Sequence, residues 1–185
     1  MIDVNDLRKG VNFELDGQLL RVIEYHHHKP GRGNAVIRTK VRNLRTGATF
    51  EKTFQSGDRV QDVRIESREM QYLYHDGDLY TFMDSRTYDQ VMMDSKLLEE
   101  NTSYLKDGMG VVVQMYGDEP LGVELPTAVE LKVVQSDVGV RGDTATGANK
   151  YVSVVTGYRL QVPLFVVEGD TIRIDTRTGG YVTRV

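Results

Sequence analysis

The chain consists of short segments in which apolar and polar residues alternate, separated by glycine-containing turn signals. Alternation over about four to eight residues is typical of a half-buried β-strand. Asp-Gly and Thr-Gly pairs interrupt the segments, and such pairs favour the tight turns of β-hairpins. The pattern predicts a mostly β protein, with strands in NFELDGQLLRVIEY, AVIRTKVRNLRTGATFEKTF, MQYLYHDGDLYTFMD, MGVVVQMYGDEPLGVELP and YRLQVPLFVVEGDTIRIDTRTGGYVTRV.

The clearest strand is AVIRTKVRN, because its apolar and basic side chains strictly alternate. Successive side chains of a strand point to opposite faces. One face therefore carries Ala35, Ile37 and Val41, and the other carries Arg38, Lys40 and Arg42. Helical signal is scarce and is best in DSKLLEENTSYLKDG, where Asp94 or Ser95 could cap a turn or two.

An internal echo bears on the domain organisation. Residues Gly77–Tyr88 and Gly169–Tyr181 share a Gly-Asp start, apolar alternation and an Asp-Ser/Thr-Arg-Thr turn. Chance is one explanation of the echo. The other is that the last two thirds form two related small β-barrels, preceded by a third unit ending near Val63. The expected domains are then residues 1–63, 64–126 and 127–185.

The net charge of −4 conceals an uneven distribution along the chain. Residues 1–63 hold 11 basic and 8 acidic side chains, residues 64–126 hold 5 and 13, and residues 127–185 hold 7 and 6. Between Lys29 and Arg45 there are six cationic residues and no acidic one. Such a run is expected of a surface that faces phosphate, and an ordinary solvated strand face is the alternative.

A search for catalytic patterns is negative. The sequence contains no cysteine, no G-x-S-x-G, no P-loop and no H-E-x-x-H. On a strand, His26 and His28 point to one side and His27 to the other, which gives two metal ligands at most. We therefore expect no catalytic residue, no metal and no cofactor. No apolar run is long enough to span a membrane, and the cysteine-free composition favours the cytoplasm.

The loop KPGRGNA carries an arginine between two glycines. Pro30-Gly31 predicts a type II turn, in which Gly31 would take a positive φ. Gly33 leaves the neighbourhood of Arg32 open, and the nearest acidic residues in sequence are Glu24 and Glu51. Arginine suits forked recognition of phosphate and stacking on bases. A minor-groove arm of the AT-hook type would need a second arginine here.

Ordered motifs along the whole chain resemble bacterial translation elongation factor P. They are VNDLRKG, KPGRGNA followed by RTKVRNLRTGATFEKTF, MQYLY, LGVELP, GVRGDTATGANK and QVPLFVVEGDTIRIDTRTGGYVTRV. The resemblance implies an all-β fold of three small β-barrel domains. A KOW/SH3-like N-terminal barrel would be followed by two OB folds, in an L-shaped arrangement.

The resemblance also implies a function without enzymatic chemistry. Such a factor binds the 70S ribosome between the peptidyl (P) and exit (E) sites when it stalls on consecutive prolines, and it promotes peptide-bond formation. The tip loop would reach the CCA end of the P-site peptidyl-tRNA, and basic side chains of the following strand would contact RNA backbone. The tip residues are Lys29, Pro30, Gly31, Arg32, Gly33 and Asn34, and the strand residues are Arg38, Lys40 and Arg42.

Further contacts are implied for the last two domains. A loop would lie near the E-site codon of the mRNA, Tyr181 and Arg184 would lie near the tRNA and the small subunit, and the acidic middle domain would face ribosomal protein L1. The loop comprises Gly142, Asp143, Thr144, Ala145, Thr146 and Gly147. The alternatives are that this loop is only a turn and that Tyr181 belongs to a core. A factor fitted to a tRNA-sized slot is expected to be a monomer.

Arg32 is also a candidate modification site, because many members carry a lysine at the tip that is extended enzymatically. Other members have a modified arginine but lack the Pro-Gly that is present here. We therefore predict that Arg32 acts unmodified. Two other classes of function stay open at this point: a general RNA- or DNA-binding β-barrel protein that uses residues 29–45, and an enzyme with an unrecognised site.

Overall fold

A computed structural model describes residues 1–139 and 147–185. Within these ranges the chain forms three antiparallel sheets and very little helix, which confirms the prediction of a mostly β protein. The chain packs as two compact units, residues 1–67 with 114–122 and residues 68–113 with 123–185. No helix in the described part of the chain is long and apolar enough to cross a membrane.

The first sheet has six strands in the spatial order β1-β6-β2-β3-β4-β5. A 3₁₀ turn, Val4–Asp6, follows the first strand and is capped by the side chain of Asp3. Phe13 and Phe54 meet edge to face in the core of this sheet. The strands are β1 (Ile2–Asp3), β2 (Asn12–Leu15), β3 (Gln18–His28), β4 (Val36–Asn43), β5 (Thr49–Gln55) and β6 (Arg59–Asp62).

Strand β4 is the basic strand predicted from AVIRTKVRN. Ile37 and Val41 are buried, whereas Arg38, Lys40 and Arg42 are exposed. The predicted alternation is confirmed because β4 lies between β3 and β5, so that one of its faces covers the core and the other meets solvent.

The second sheet has five strands in the order β11-β10-β7-β8-β9. The predicted helical segment follows β9 as a single turn, α1 (Ser95–Leu98), and continues as a 3₁₀ turn, Glu99–Tyr104. Its cap is Asp94, whose carboxylate accepts a hydrogen bond of 2.8 Å from the backbone N–H of Lys96. The strands are β7 (Glu66–Asp76), β8 (Leu79–Asp84), β9 (Gln90–Asp94), β10 (Gly110–Tyr116) and β11 (Glu119–Glu124).

The third sheet has the order β14-β13-β12-β15-β16. Its core is almost entirely aliphatic and includes Leu131, Val154 and Ile174. Tyr104 from the preceding 3₁₀ turn packs into the same core. The strands are β12 (Ala128–Ser136), β13 (Asn149–Val154), β14 (Arg159–Pro163), β15 (Thr171–Asp175) and β16 (Tyr181–Arg184).

The two copies of the echo form equivalent hairpins, β8–β9 and β15–β16. In each hairpin an aspartate closes the turn: Asp84 accepts a hydrogen bond from the N–H of Arg86, and Asp175 accepts one from the N–H of Arg177, both at 2.8 Å. Each hairpin pairs with the first strand of its sheet. Their positions along the chain differ, because β8–β9 directly follows the first strand, whereas β15–β16 is the last hairpin of its sheet.

Candidate nucleic-acid interface

The arginine loop connects the longest hairpin of the first sheet. The last residues that pair between β3 and β4 are His28 and Val36, so Lys29–Ala35 forms the connecting loop. Arg32 is exposed, and among the described residues it has neither a hydrogen bond nor an ion pair. The hairpin therefore presents one free guanidinium at its end, as the sequence predicted.

The predicted type II turn at Pro30-Gly31 is wrong. The residue with a left-handed conformation is Gly33, with φ of +113°, and Gly31 does not have a positive φ. The paired ends of the hairpin are separated by a long loop, so the chain does not need to reverse within four residues at Pro30. Gly33 is thus the residue whose missing Cβ permits this loop conformation.

The basic face of β4 is less uniformly positive than the sequence indicated. Lys40 Nζ lies 3.7 Å from Glu24 Oε1 on β3. On the other side, Lys40 is in register with Glu51 of β5. The two glutamates that bracket the acid-free run in sequence therefore both flank its central lysine. Only the strand register could reveal this, because Glu24 and Glu51 lie outside the run itself.

The remaining cations of this run differ in their partners. Arg45 forms a two-point ion pair with Glu119, with Nε–Oε1 and Nη2–Oε2 distances of 2.8 and 3.0 Å. This hydrogen bonding lowers the pKa of the Glu119 carboxyl and raises the pKa of the Arg45 guanidinium. In the part of the chain that the structure describes, the side chains without an ion pair are those of Lys29, Arg32, Arg38 and Arg42.

The histidines before the loop line a groove of about 380 Å³ on this face. His26 is in register with Arg38, so both side chains belong to the outer face. His75 instead belongs to the second sheet, where its Nδ1 lies 2.9 Å from the hydroxyl of Tyr72. No group of three metal-ligating side chains converges in residues 1–139 and 147–185.

The two C-terminal candidates lie on β16 and differ in burial. Tyr181 is half-buried and packs against the aliphatic core of the third sheet. Arg184 is exposed, with its guanidinium carbon 5.1 Å from the centre of the Phe165 ring and Nη1 3.6 Å from Asp170. In the predicted codon loop, Gly147 is exposed, and Gly142–Thr146 lie outside the described residues.

Comparison with known protein families identifies all three parts of the chain. Residues 3–60 match the model of the elongation factor P KOW-like domain, residues 65–123 match the elongation factor P OB domain, and residues 129–184 match the elongation factor P C-terminal domain. A KOW-like domain followed by these two domains defines a translation elongation factor and not an enzyme. The chain belongs to the elongation factor P family, and membership implies that it binds the ribosome.

Individual relatives agree with the family models. The chain is 50% identical over 184 residues to elongation factor P of Moorella thermoacetica, and the match covers 100% of both chains. The KOW-like and OB-type domains expected from the sequence are thereby confirmed. The boundaries at residues 63 and 126 stay predictions.

Solved structures with a similar fold are more distant in sequence. Eukaryotic translation initiation factor 5A from Methanococcus jannaschii matches with a TM-score of 0.55 and 23% identity, over 68% of this chain and 90% of that one. A translation initiation factor eif-5a family protein from Naegleria fowleri matches with a TM-score of 0.50 and 16% identity, over 66% of this chain and 94% of that one. At these identities the likeness concerns the fold alone.

Proposed function

We propose that this protein is a monomeric cytoplasmic factor that binds the 70S ribosome between the P and E sites. It acts on ribosomes stalled at consecutive prolines and stimulates peptide-bond formation. The tip loop, Lys29–Asn34, reaches the CCA end of the P-site peptidyl-tRNA. Family membership supports this assignment, and the observation that carries it in the structure is the exposed Arg32 at the end of the β3–β4 hairpin, which has no partner among the residues described.

The loop acts by positioning and supplies no reacting group. Proline is a conformationally restricted and poor nucleophile, so correct placement of the peptidyl-tRNA end removes part of the entropic barrier. Ideal positioning can contribute about 7–11 kcal/mol, and a loop that holds only RNA backbone supplies much less. The Arg32 guanidinium can donate two parallel hydrogen bonds to a phosphate or stack on a terminal base.

The basic strand supports the loop by contacts with RNA backbone. Arg38 and Arg42 are exposed and free of ion pairs within the described residues, so they are the stronger phosphate ligands. Lys40 contributes less because Glu24 and Glu51 flank it. The same two glutamates weaken the alternative of a general RNA- or DNA-binding protein, which would need a continuous basic face.

The other two domains provide the remaining contacts of the proposed complex. The loop Gly142–Gly147 lies near the mRNA at the E-site codon, and Arg184 lies near the tRNA and the small subunit. Tyr181 lies near the same tRNA and small subunit, which it contacts with the part of its ring that is not covered by the core. The middle domain, with its excess of acidic residues, faces ribosomal protein L1. Arg32 acts as an unmodified side chain.

A stalling reporter tests the tip mechanism. We expect wild-type protein to relieve arrest at a Pro-Pro-Pro motif in a reconstituted translation system, and Arg32→Ala to lose most of this relief. Arg38→Ala is the matched control, because it removes an arginine of the same hairpin and leaves the tip intact; it should weaken binding and keep relief at saturating factor. Equal relief by Arg32→Ala and wild type would overturn the tip mechanism.

A further inference from the structure

The third sheet presents an outer face that the proposed function has not used. Its first three strands are β12, β13 and β14, in neighbouring positions. In OB folds, the outer surface of the second and third strands is the place where oligonucleotides bind. Strands β13 and β14 are the equivalents in this sheet, and their pairing runs from Asn149↔Pro163 to Ser153↔Arg159.

The side chains of this hairpin separate cleanly into two faces. The inner face is aliphatic and buried, and it consists of Val152, Val154, Leu160 and Val162. The outer face is polar apart from one aromatic ring, and it consists of Tyr151, Ser153, Arg159 and Gln161. Tyr151 is 44% exposed, although a tyrosine on a strand of an aliphatic barrel could have been covered by its neighbours.

The Arg159 guanidinium lies over the ring of this tyrosine. The guanidinium carbon is 4.8 Å from the centre of the Tyr151 ring, which is the geometry of a cation–π contact. Asp137, directly after β12, forms an ion pair with the same guanidinium. The ring and the guanidinium in contact with it form a planar, partly exposed group on which a base can stack, and the ion pair with Asp137 holds the guanidinium in place.

The same arrangement occurs a second time in this domain. Arg184 lies over Phe165 and is held by Asp170, so that an aromatic ring, an arginine and an aspartate are again combined at the surface. Arg184 already carries a proposed RNA contact. The repetition on β13–β14 indicates a second contact of the same chemical kind.

We propose that the outer face of β13–β14 binds single-stranded mRNA, with one base stacked on the Tyr151–Arg159 pair. Stacking needs a base whose face is free, and bases inside a duplex are covered on both faces by their neighbours, so single-stranded RNA is the ligand that fits. Stacking is also tolerant of sequence, which suits a ligand whose bases change from one message to the next. This inference rests on the proposed function, since only a factor bound beside the mRNA could use the face.

The test measures binding to 70S ribosomes that carry P-site tRNA and one of two mRNAs. The mRNAs differ only in the exit-site codon, which contains either ordinary nucleotides or three abasic ones. With the ordinary codon, we expect Tyr151→Ala to weaken binding about tenfold and Tyr151→Phe to bind as wild type does. With the abasic codon, wild type should lose at least this factor, and Tyr151→Ala should bind no more weakly than wild type does.

Two further variants distinguish stacking from a purely electrostatic contact and from a non-specific effect of removing a surface tyrosine. Arg159→Lys keeps the positive charge and loses the planar group, so it should behave like Arg159→Ala. Tyr74→Ala is the matched control because Tyr74 is also an exposed strand tyrosine, 54% accessible, and should bind as wild type does on both mRNAs.

Three outcomes would overturn the inference. The first is that Tyr151→Ala binds as tightly as wild type. The second is that Tyr151→Ala weakens binding by the same factor on both mRNAs, which would place the contact on ribosomal RNA or protein. The third is that Arg159→Lys binds as tightly as wild type. Failure of wild type to bind programmed ribosomes at all would instead contradict the proposed function. The two failures are therefore distinguishable in the same experiment.

Discussion

Arg45, in the turn after β4, and Glu119, at the start of β11, are joined by two parallel hydrogen bonds of 2.8 and 3.0 Å. A third bond of 3.1 Å ties the same guanidinium to the carbonyl oxygen of Gly17. Residues far apart in sequence are thus joined within the first compact unit. One cation of the Lys29–Arg45 run is consequently part of an ion pair within the fold.

This ion pair should couple stability to pH. Arg45→Ala and Glu119→Gln should each lower the free energy of unfolding by about 0.5–1 kcal/mol at neutral pH, because both side chains are partly exposed. The pair lowers the folded-state pKa of Glu119. Its contribution is therefore fully present above the unfolded-state pKa of about 4.3 and is lost as the pH falls through the lower folded-state value.

Urea unfolding of a double-mutant cycle measures that coupling. The interaction energy between the two positions should be about 0.5–1 kcal/mol near pH 7 and should approach zero near pH 3. Arg42→Ala serves as the control because Arg42, on β4, has no ion pair in the described ranges. A coupling energy that is the same at both pH values would show that Glu119 does not titrate as described.

Gly33, and not Gly31, should determine the shape of the tip loop. Gly33→Ala places a Cβ on a residue with φ of +113°, which costs about 1–2 kcal/mol of backbone strain and shifts the loop. Relief of Pro-Pro-Pro stalling should fall severalfold. The free energy of unfolding measured in urea should fall by no more than this strain energy. Gly31→Ala is the control, since its Cβ meets nothing within 4 Å and its φ is not positive. A larger effect at Gly31 than at Gly33 would contradict the loop conformation.

Gly179, which follows β15, should tolerate substitution poorly. A Cβ there would overlap the hydroxyl of Tyr158, which donates a 2.8 Å hydrogen bond to the Gly179 carbonyl, and it would lie 3.0 Å from the hydroxyl of Tyr104. Burial, together with the hydrogen bond to Tyr158, raises the pKa of Tyr104 to about 12, which leaves this hydroxyl neutral under ordinary conditions.

Gly179→Ala should therefore cost backbone strain and overpacking together, about 2–5 kcal/mol of unfolding free energy. Gly157→Ala is matched in conformation, with φ of +87° against +76°, but its Cβ meets nothing within 4 Å. It should lose only the strain, about 1–2 kcal/mol. Equal losses in denaturant unfolding would mean that the tyrosine hydroxyls move aside freely.

Mass spectrometry of protein purified from its native host decides whether Arg32 is modified. We expect the intact mass calculated from the sequence. Trypsin should release Val22–Arg32 and Gly33–Arg38, because Pro30 protects the bond after Lys29 and an unmodified Arg32 is cleaved. A single peptide spanning Val22–Arg38 with added mass would contradict the prediction.

The local elements were predictable because their signals are local. The alternation in β4 and the Asp94 cap of α1 depend on neighbours within a few residues, and both are confirmed. The free position of Arg32 followed from the same kind of information, since glycines flank it and acidic residues are distant in sequence. The family motifs added the domain types, which periodicity alone could not distinguish.

The sequence by itself determined that the chain is built of short strands, carries an exposed arginine between glycines and has no recognised catalytic motif. Tertiary structure decided which residues meet across strands. Register places Glu24 and Glu51 beside Lys40, and a hairpin places Arg159 over Tyr151. It also gave the positive φ of the loop to Gly33, whereas the sequence had predicted it at Gly31. The reason is that strand pairing and loop length depend on contacts between distant segments, whereas alternation and capping are set by each residue's immediate neighbours.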